Sequence, residues 1–137
     1  MDVKECVKLL HDIKILERKV ADIFEKKLGI SLTRFQIIKY LYEVEIATPK
    51  QISQILKIDA AAITRHLKKL EEGGYVRKRR NEDNNREVLV EITQFSKSKI
   101  DQCFKETDVR TLIDEEFTDE DFKRLGILLN KLNNNIK

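Results

Sequence analysis

The chain is predicted to be mainly α with a small β-hairpin: a winged helix-turn-helix with N- and C-terminal dimerisation helices. Three observations predict it. Residues 60–71, AAAITRHLKKLE, read as a helix at about 100° per residue, place Ile63, Leu67 and Leu70 on one stripe and Ala61, Arg65 and Lys68 opposite it. Residues 75–80 and 87–92 read as two strands around a polar tip. At either end, apolar residues recur at threes and fours over long stretches, as they do on helices that pack against another helix.

In chain order, Val3, Cys6, Leu9, Leu10, Ile13, Leu16, Val20, Ile23 and Phe24 predict one amphipathic helix over residues 3–27. At about 1.5 Å per residue it is nearly 40 Å long, more than a domain of this size needs for its own core, so part of its stripe is expected to face another chain. Gly29 stops it. Thr33-Arg34-Phe35-Gln36 has the form of a capping box and opens a second helix through Phe35, Ile38, Leu41 and Tyr42. Thr48-Pro49-Lys50-Gln51 combines an N-cap, a proline at the first helical position and a capping-box glutamine, and starts a short third helix with Ile52, Ile55 and Leu56. The Lys57-Ile58 turn leads to Asp59, the N-cap of the fourth helix, which Gly73-Gly74 ends. Two short helices joined by a tight turn make a helix-turn-helix.

Beyond the glycines, Val88, Val90 and Ile92 alternate with Leu89 and Glu91 in the second strand, and Asn81-Glu82-Asp83-Asn84-Asn85-Arg86 forms the turn-tolerant tip of a wing. Thr93 caps a fifth helix carrying Phe95, Ile100, Cys103 and Phe104. Thr118 and three acids open a sixth, with Phe122, Leu125, Leu129, Leu132 and Ile136 on one stripe. No linker or repeat divides the chain. It is read as a single domain over 1–137, with a helical dimerisation region at 1–28 and 94–137, a winged helix-turn-helix at 33–92 and the wing at 75–92.

Charge is unevenly distributed. Residues 48–92 hold ten Lys/Arg against seven Asp/Glu, while the remainder holds 17 of each, so the whole net charge of +3 sits in the middle third. That points to a local polyanion-binding surface. No apolar run approaches a membrane span, and Asp2, Lys4, Glu5 and Lys8 in the first ten residues exclude a signal-peptide pattern, so the protein is expected in the cytoplasm, away from membranes. Cys6 and Cys103 lack metal-finger spacing and read as free thiols, and His11 and His66 on unrelated faces supply no ligand set, so neither metal nor cofactor is expected. No nucleophile with a base and orienter, and no phosphate-cradling loop, suggests an enzyme.

With this order of elements, the sequence resembles the MarR family of dimeric winged-helix transcription regulators. The specific match runs over residues 48–93: Ile63-Thr64-Arg65, then Leu70-Glu71, the glycine turn and Arg77, then Arg86, Val88, Val90 and Ile92-Thr93. The chain departs from the family pattern at Asn84, where the wing aspartate is displaced to Asp83, and at Ser96, where a glycine is usual. The resemblance implies a sequence-specific, double-stranded DNA-binding regulator, a homodimeric repressor on a palindromic site, released by a small aromatic or anionic effector. His11, Arg18 and Tyr40 are candidate linings for that effector.

The DNA-binding candidates follow from residue chemistry. Arg65 can grip guanine O6 and N7, Thr64 can bond to base edges, and Ala61 and Ala62 allow close approach and contact with thymine methyls. Lys68 and Lys69 are expected on phosphates, with His66 flanking the core. Thr48 and Lys50 at the start of the third helix form a phosphate site. Arg79 lies on the wing strand, sharing a face with Arg77, and Arg86 is placed to enter the minor groove. Two alternatives remain: a redox-responsive regulator using Cys6, and a winged-helix protein-interaction module without DNA binding.

Overall fold

The computed structural model describes residues 1–84 and 86–137. The described residues form α1 (Val3–Leu28), α2 (Leu32–Val44), β1 (Ile46–Ala47), α3 (Pro49–Leu56), α4 (Ala60–Glu72), β2 (Val76–Arg80), β3 (Val88–Ile92), α5 (Gln94–Glu106), a short 3-10 turn (Val109–Thr111) and α6 (Asp119–Asn134). They fall into two compact units, Met1–Phe104 and Lys105–Lys137.

Within the first unit, the core forms where the apolar faces of short elements converge. Ile37, Ile38 and Leu41 of α2, Ile52 of α3, Ile63, Leu67 and Leu70 of α4, Val90 of β3 and Ile100 of α5 are almost fully buried. The stripe expected on α4 is therefore its inward face. Val76, Val90 and Ile92 project from the sheet into the same cluster, the period-2 alternation of a sheet with one covered face.

The expected hairpin is part of a larger sheet. Its order is β1-β3-β2, both pairings antiparallel, with Ile46 opposite Glu91 and Val76 opposite Ile92. The two-residue β1 is too short to show alternation. It is set by Glu45, whose left-handed backbone (φ 68°) turns the chain out of α2 and whose carbonyl accepts from the Ile92 N–H at 3.1 Å.

Helix starts follow their caps, with one correction. Asp2, Thr48 and Thr118 each form complete capping boxes. The second helix, however, is capped by Ser31, whose hydroxyl accepts from the Arg34 N–H at 3.3 Å, and not by Thr33. Ser31 has the extended backbone of an N-cap (φ −64°, ψ 154°), whereas Thr33 already lies within the first turn. Gly29 (φ 74°) ends α1 in the left-handed conformation, its N–H bonded to the Glu25 carbonyl. After α4 the left-handed residue is Gly74 (φ 79°), while Gly73 keeps a right-handed backbone.

Asp59 accepts from the N–H groups of Ala61 and Ala62 at 3.1 and 3.3 Å. Asp59→Ala is therefore expected to destabilise the fold by about 1 kcal/mol, measured as a lower urea midpoint at unchanged slope.

α1 buries none of its residues, and Val3, Val7, Leu10 and Leu16 stand exposed along it. In the second unit, α6 likewise buries none, leaving Leu125, Leu128, Leu129 and Leu132 exposed. The 3-10 turn before α6, not foreseen from the sequence, is capped by Asp108, whose carboxylate accepts from the Arg110 N–H at 2.9 Å.

Candidate nucleic-acid interface

α4 is presented by the residues behind it. With Ile63, Leu67 and Leu70 buried, helical geometry turns Ala61, Thr64, Arg65, Lys68 and Lys69 outward, and all are exposed. Ala62 and His66 lie between the two faces and are half-buried. Thr64 donates its hydroxyl hydrogen to the Ala60 carbonyl at 3.0 Å, which leaves its oxygen able to accept but not to donate elsewhere. Arg65 and Lys68 form no ion pair among the described residues, and Lys69 has only a 4.0 Å approach to Glu72.

The first turn of α3 is closed by a reciprocal pair. Thr48 accepts from the Gln51 N–H at 3.1 Å, and Gln51 accepts from the Thr48 N–H at 2.8 Å. The Thr48 hydroxyl keeps its own hydrogen to donate, and Lys50 is exposed beside it.

The wing is less free than its run of basic residues suggests. The register sets Arg77 directly across from Glu91. Glu91 takes a hydrogen bond from Arg77 Nη2 at 3.0 Å and an ion pair from Arg79 Nε at 3.7 Å. On the other face, Glu71 of α4 accepts from the Lys78 N–H at 3.3 Å, with the Lys78 ammonium 3.9 Å from the same carboxylate. Thus Arg77 and Arg79 share a face as expected, but that face carries its own acid. Sequence reasoning misses these contacts, because strand register sets what Glu91 meets and the packing of α4 on β2 sets what Glu71 meets.

At the tip, Asn81 accepts from the Asp83 N–H at 3.0 Å and Asn84 from the Arg86 N–H at 3.2 Å. These are side-chain-closed turns of the kind asparagine favours. Asn85, counted in the expected tip, lies outside the described residues. Arg86 is exposed and has no ion pair with a carboxylate among the described residues.

The wing root is pinned to α5. Thr93 Oγ1 donates toward the Gly74 and Tyr75 carbonyls at 2.7 and 3.2 Å and accepts from the Ser96 N–H at 3.2 Å. Fully buried Ser96 donates to the Tyr75 carbonyl. Serine where the family pattern has glycine adds a hydroxyl bond to this joint.

Arg34 is also missed, since nothing local in the sequence marks it. From the first turn of α2 it reaches a cavity of about 320 Å³ that Arg65, His66, Lys68, Lys69 and Glu72 of α4 also line. Burial, then the charges of Arg34 and Arg65, hold the His66 imidazole below its ordinary pKa. The neutral form is thus favoured on folding, so the unfolded chain binds the proton more readily. The contribution to stability is complete above about pH 6.5 and is lost as the pH falls below it. His66→Gln is expected to flatten the acid limb of a stability profile between pH 7 and 5; an unchanged limb would contradict this.

The residues suggested for an effector are not brought together. Tyr40 lines an open cleft of about 360 Å³ with Gln36, Lys39, Glu43, Ile55 and Leu56, whereas His11 and Arg18 stand exposed on α1. Among the described residues, no group of three His, Cys, Asp or Glu side chains is placed to hold a metal, and no helix is long and apolar enough to cross a membrane.

Against this geometry, residues 19–103 match the family described as transcriptional regulator SarA/Rot. The chain belongs to that family. It is a family of transcriptional regulators and not of enzymes, and its winged helix-turn-helix is of the MarR type. The chain is 32% identical to the HTH-type transcriptional regulator YwoH of Bacillus subtilis, over 82% of its own length and 85% of that protein. It is also 32% identical to YdgJ of the same organism over 74% of its length, spanning 62% of that relative. The structure of a mutant MarR from Escherichia coli complexed with operator DNA has a TM-score of 0.83 at 24% identity, covering 96% of this chain and 99% of that one. At that identity the likeness establishes the shared fold, and the resemblance read from residues 48–93 agrees with it.

Proposed function

We propose that this SarA/Rot-family regulator is a cytoplasmic homodimer that binds double-stranded DNA at a palindromic site and represses transcription until a small aromatic or anionic effector releases it. The observation that carries the DNA reading is the outward face of α4: Thr64, Arg65 and Lys68 stand exposed over buried Ile63, Leu67 and Leu70, with α3 and the wing on either side. A protruding helix with a basic face fits the major groove.

Each candidate then takes a role its geometry supports. Arg65, free of a carboxylate, grips a guanine. Thr64, restricted to accepting, takes a hydrogen bond from the amino group of adenine or cytosine. Ala61 and Ala62 keep that end of the helix low against the bases. Thr48, Lys50, Lys68 and Lys69 contact phosphates, which position without specifying sequence, and Arg79 does so while its Nε stays paired with Glu91. Arg86 enters the minor groove from the tip. The exposed stripes of α1 and α6 supply the surface for pairing two copies, which would set two α4 helices about one DNA turn apart.

A gel shift against selected duplexes at several salt concentrations tests the reading. Several phosphate contacts should give a steep fall in affinity with salt. Failure to bind any duplex at low salt would instead favour a winged helix that docks on protein. Cys6, exposed on α1, gives the redox alternative its one supporting observation. Peroxide treatment that left DNA affinity unchanged would remove it.

A further inference from the structure

We propose that the cavity between α2 and α4, lined by Arg34, Arg65, His66, Lys68, Lys69 and Glu72, is a binding site for a phosphate oxyanion. Two buried polar atoms carry the argument. Arg34 Nε on α2 and His66 Nδ1 on α4 have no solvent exposure and no hydrogen-bond partner among the described residues. Arginine cannot shed its proton, so its buried N–H keeps a standing demand for an acceptor. Both residues line the same cavity, and the acid there, Glu72, is engaged only by Lys69 at 4.0 Å. Four cationic side chains and an imidazole thus face one carboxylate.

The lining also defines the ligand. Apart from the imidazole, no aromatic ring and no aliphatic residue contributes to it; its apolar surface comes from side-chain stems that end in charged groups. The lining residues come from two helices and carry donors of different kinds: a planar guanidinium fork, an imidazole nitrogen and flexible ammonium groups. A tetrahedral oxyanion, with acceptor oxygens pointing in several directions, can engage them together, where a planar carboxylate would reach fewer. A bound anion would also offset the repulsion among Arg34, Arg65 and a protonated His66. Because Arg65 lines the cavity as well as the outward face of α4, an occupant and a DNA base would draw on the same guanidinium.

The phosphate group can come from a duplex backbone or from a free phosphate-bearing molecule, and one titration with two arms separates them. The chain has two histidines, His11 and His66, so their imidazole proton resonances report separately on α1 and on the cavity. Inorganic phosphate is titrated into the full chain at constant ionic strength. The expected result is a saturable shift of His66 with His11 unmoved. Arg34→Gln should weaken the phosphate affinity about tenfold or more. Lys69→Gln should weaken it as well, which guards against a folding defect in the first variant, and Lys14→Gln on α1 should not.

If a backbone phosphate is the occupant, added duplex abolishes the phosphate titration, and Arg34→Gln lowers the log–log salt slope of DNA binding by about 0.9. If added duplex displaces phosphate, as shared use of Arg65 requires in either case, but Arg34→Gln leaves the salt slope of DNA binding unchanged, the site takes a free phosphate-bearing molecule. A linear, unsaturable shift of His66 that is the same in wild type, Arg34→Gln and Lys69→Gln overturns the site. Failure of the DNA reading would show as no duplex binding with the phosphate titration preserved, so the two ideas stand or fall separately.

Discussion

Arg65→Ala is expected to relax sequence preference, cutting affinity for a selected duplex by one to two orders of magnitude while changing that for a scrambled one far less. A two-donor grip on guanine discriminates by about 1–3 kcal/mol, and no carboxylate ties the side chain down. Lys69→Ala is the informative comparison. As a phosphate contact it should weaken every duplex alike and reduce the salt slope by about 0.9. Fluorescence anisotropy with both duplexes at three salt concentrations distinguishes the two effects. If both variants lost affinity for both duplexes equally, the assignment of Arg65 to bases and Lys69 to phosphates would be wrong.

The second large effect is expected from the exposed stripes. Leu10→Glu on α1 or Leu129→Glu on α6 places a charge where an apolar side chain already faces outward, so the cost to the chain's own core should be small. Its cost to a dimer joined through these stripes should be large, since pairing would bury the new carboxylate. Sedimentation should show conversion to monomer at micromolar concentration. Affinity for a two-half-site duplex should fall by about 10²–10⁴ as the linked second binding event is lost. A dimer that persisted in both variants, with affinity unchanged, would mean that these stripes do not join the copies.

Those expectations rest on elements of unequal legibility. The α4 stripe was readable because Ile63, Leu67 and Leu70 repeat at helical spacing between a strong cap and a glycine stop, and all three are buried. The third helix was readable for the same reason, since Thr48, Pro49 and Gln51 specify its first turn redundantly. The start of α2 was not, because Ser31 and Thr33 are both competent caps two residues apart, and only the backbone distinguishes them. β1 is two residues long and is defined by its partner strand, so no local pattern could announce it.

The candidate site divides in the same way. Residues on one helix face were found together because a single period places them. Interactions across elements were not: Glu91 meets Arg77 and Arg79 through a strand register, Glu71 reaches Lys78 from α4, and Arg34 arrives at His66 and Arg65 through the packing of two helices. In each case the missing information was a long-range contact, and the chemistry of the residue alone was compatible with simple exposure to solvent.

The joint at Thr93 and Ser96 has a mechanical consequence. Two hydroxyls at the start of α5 hold the Gly74 and Tyr75 carbonyls, where the chain leaves α4 and enters β2. Such bonds tolerate only a few tenths of an ångström of stretch before they weaken. Sliding or rolling α5 relative to that corner therefore costs these bonds. The start of α5 and the root of the wing are thus pinned together at one point, with the serine hydroxyl as the pin.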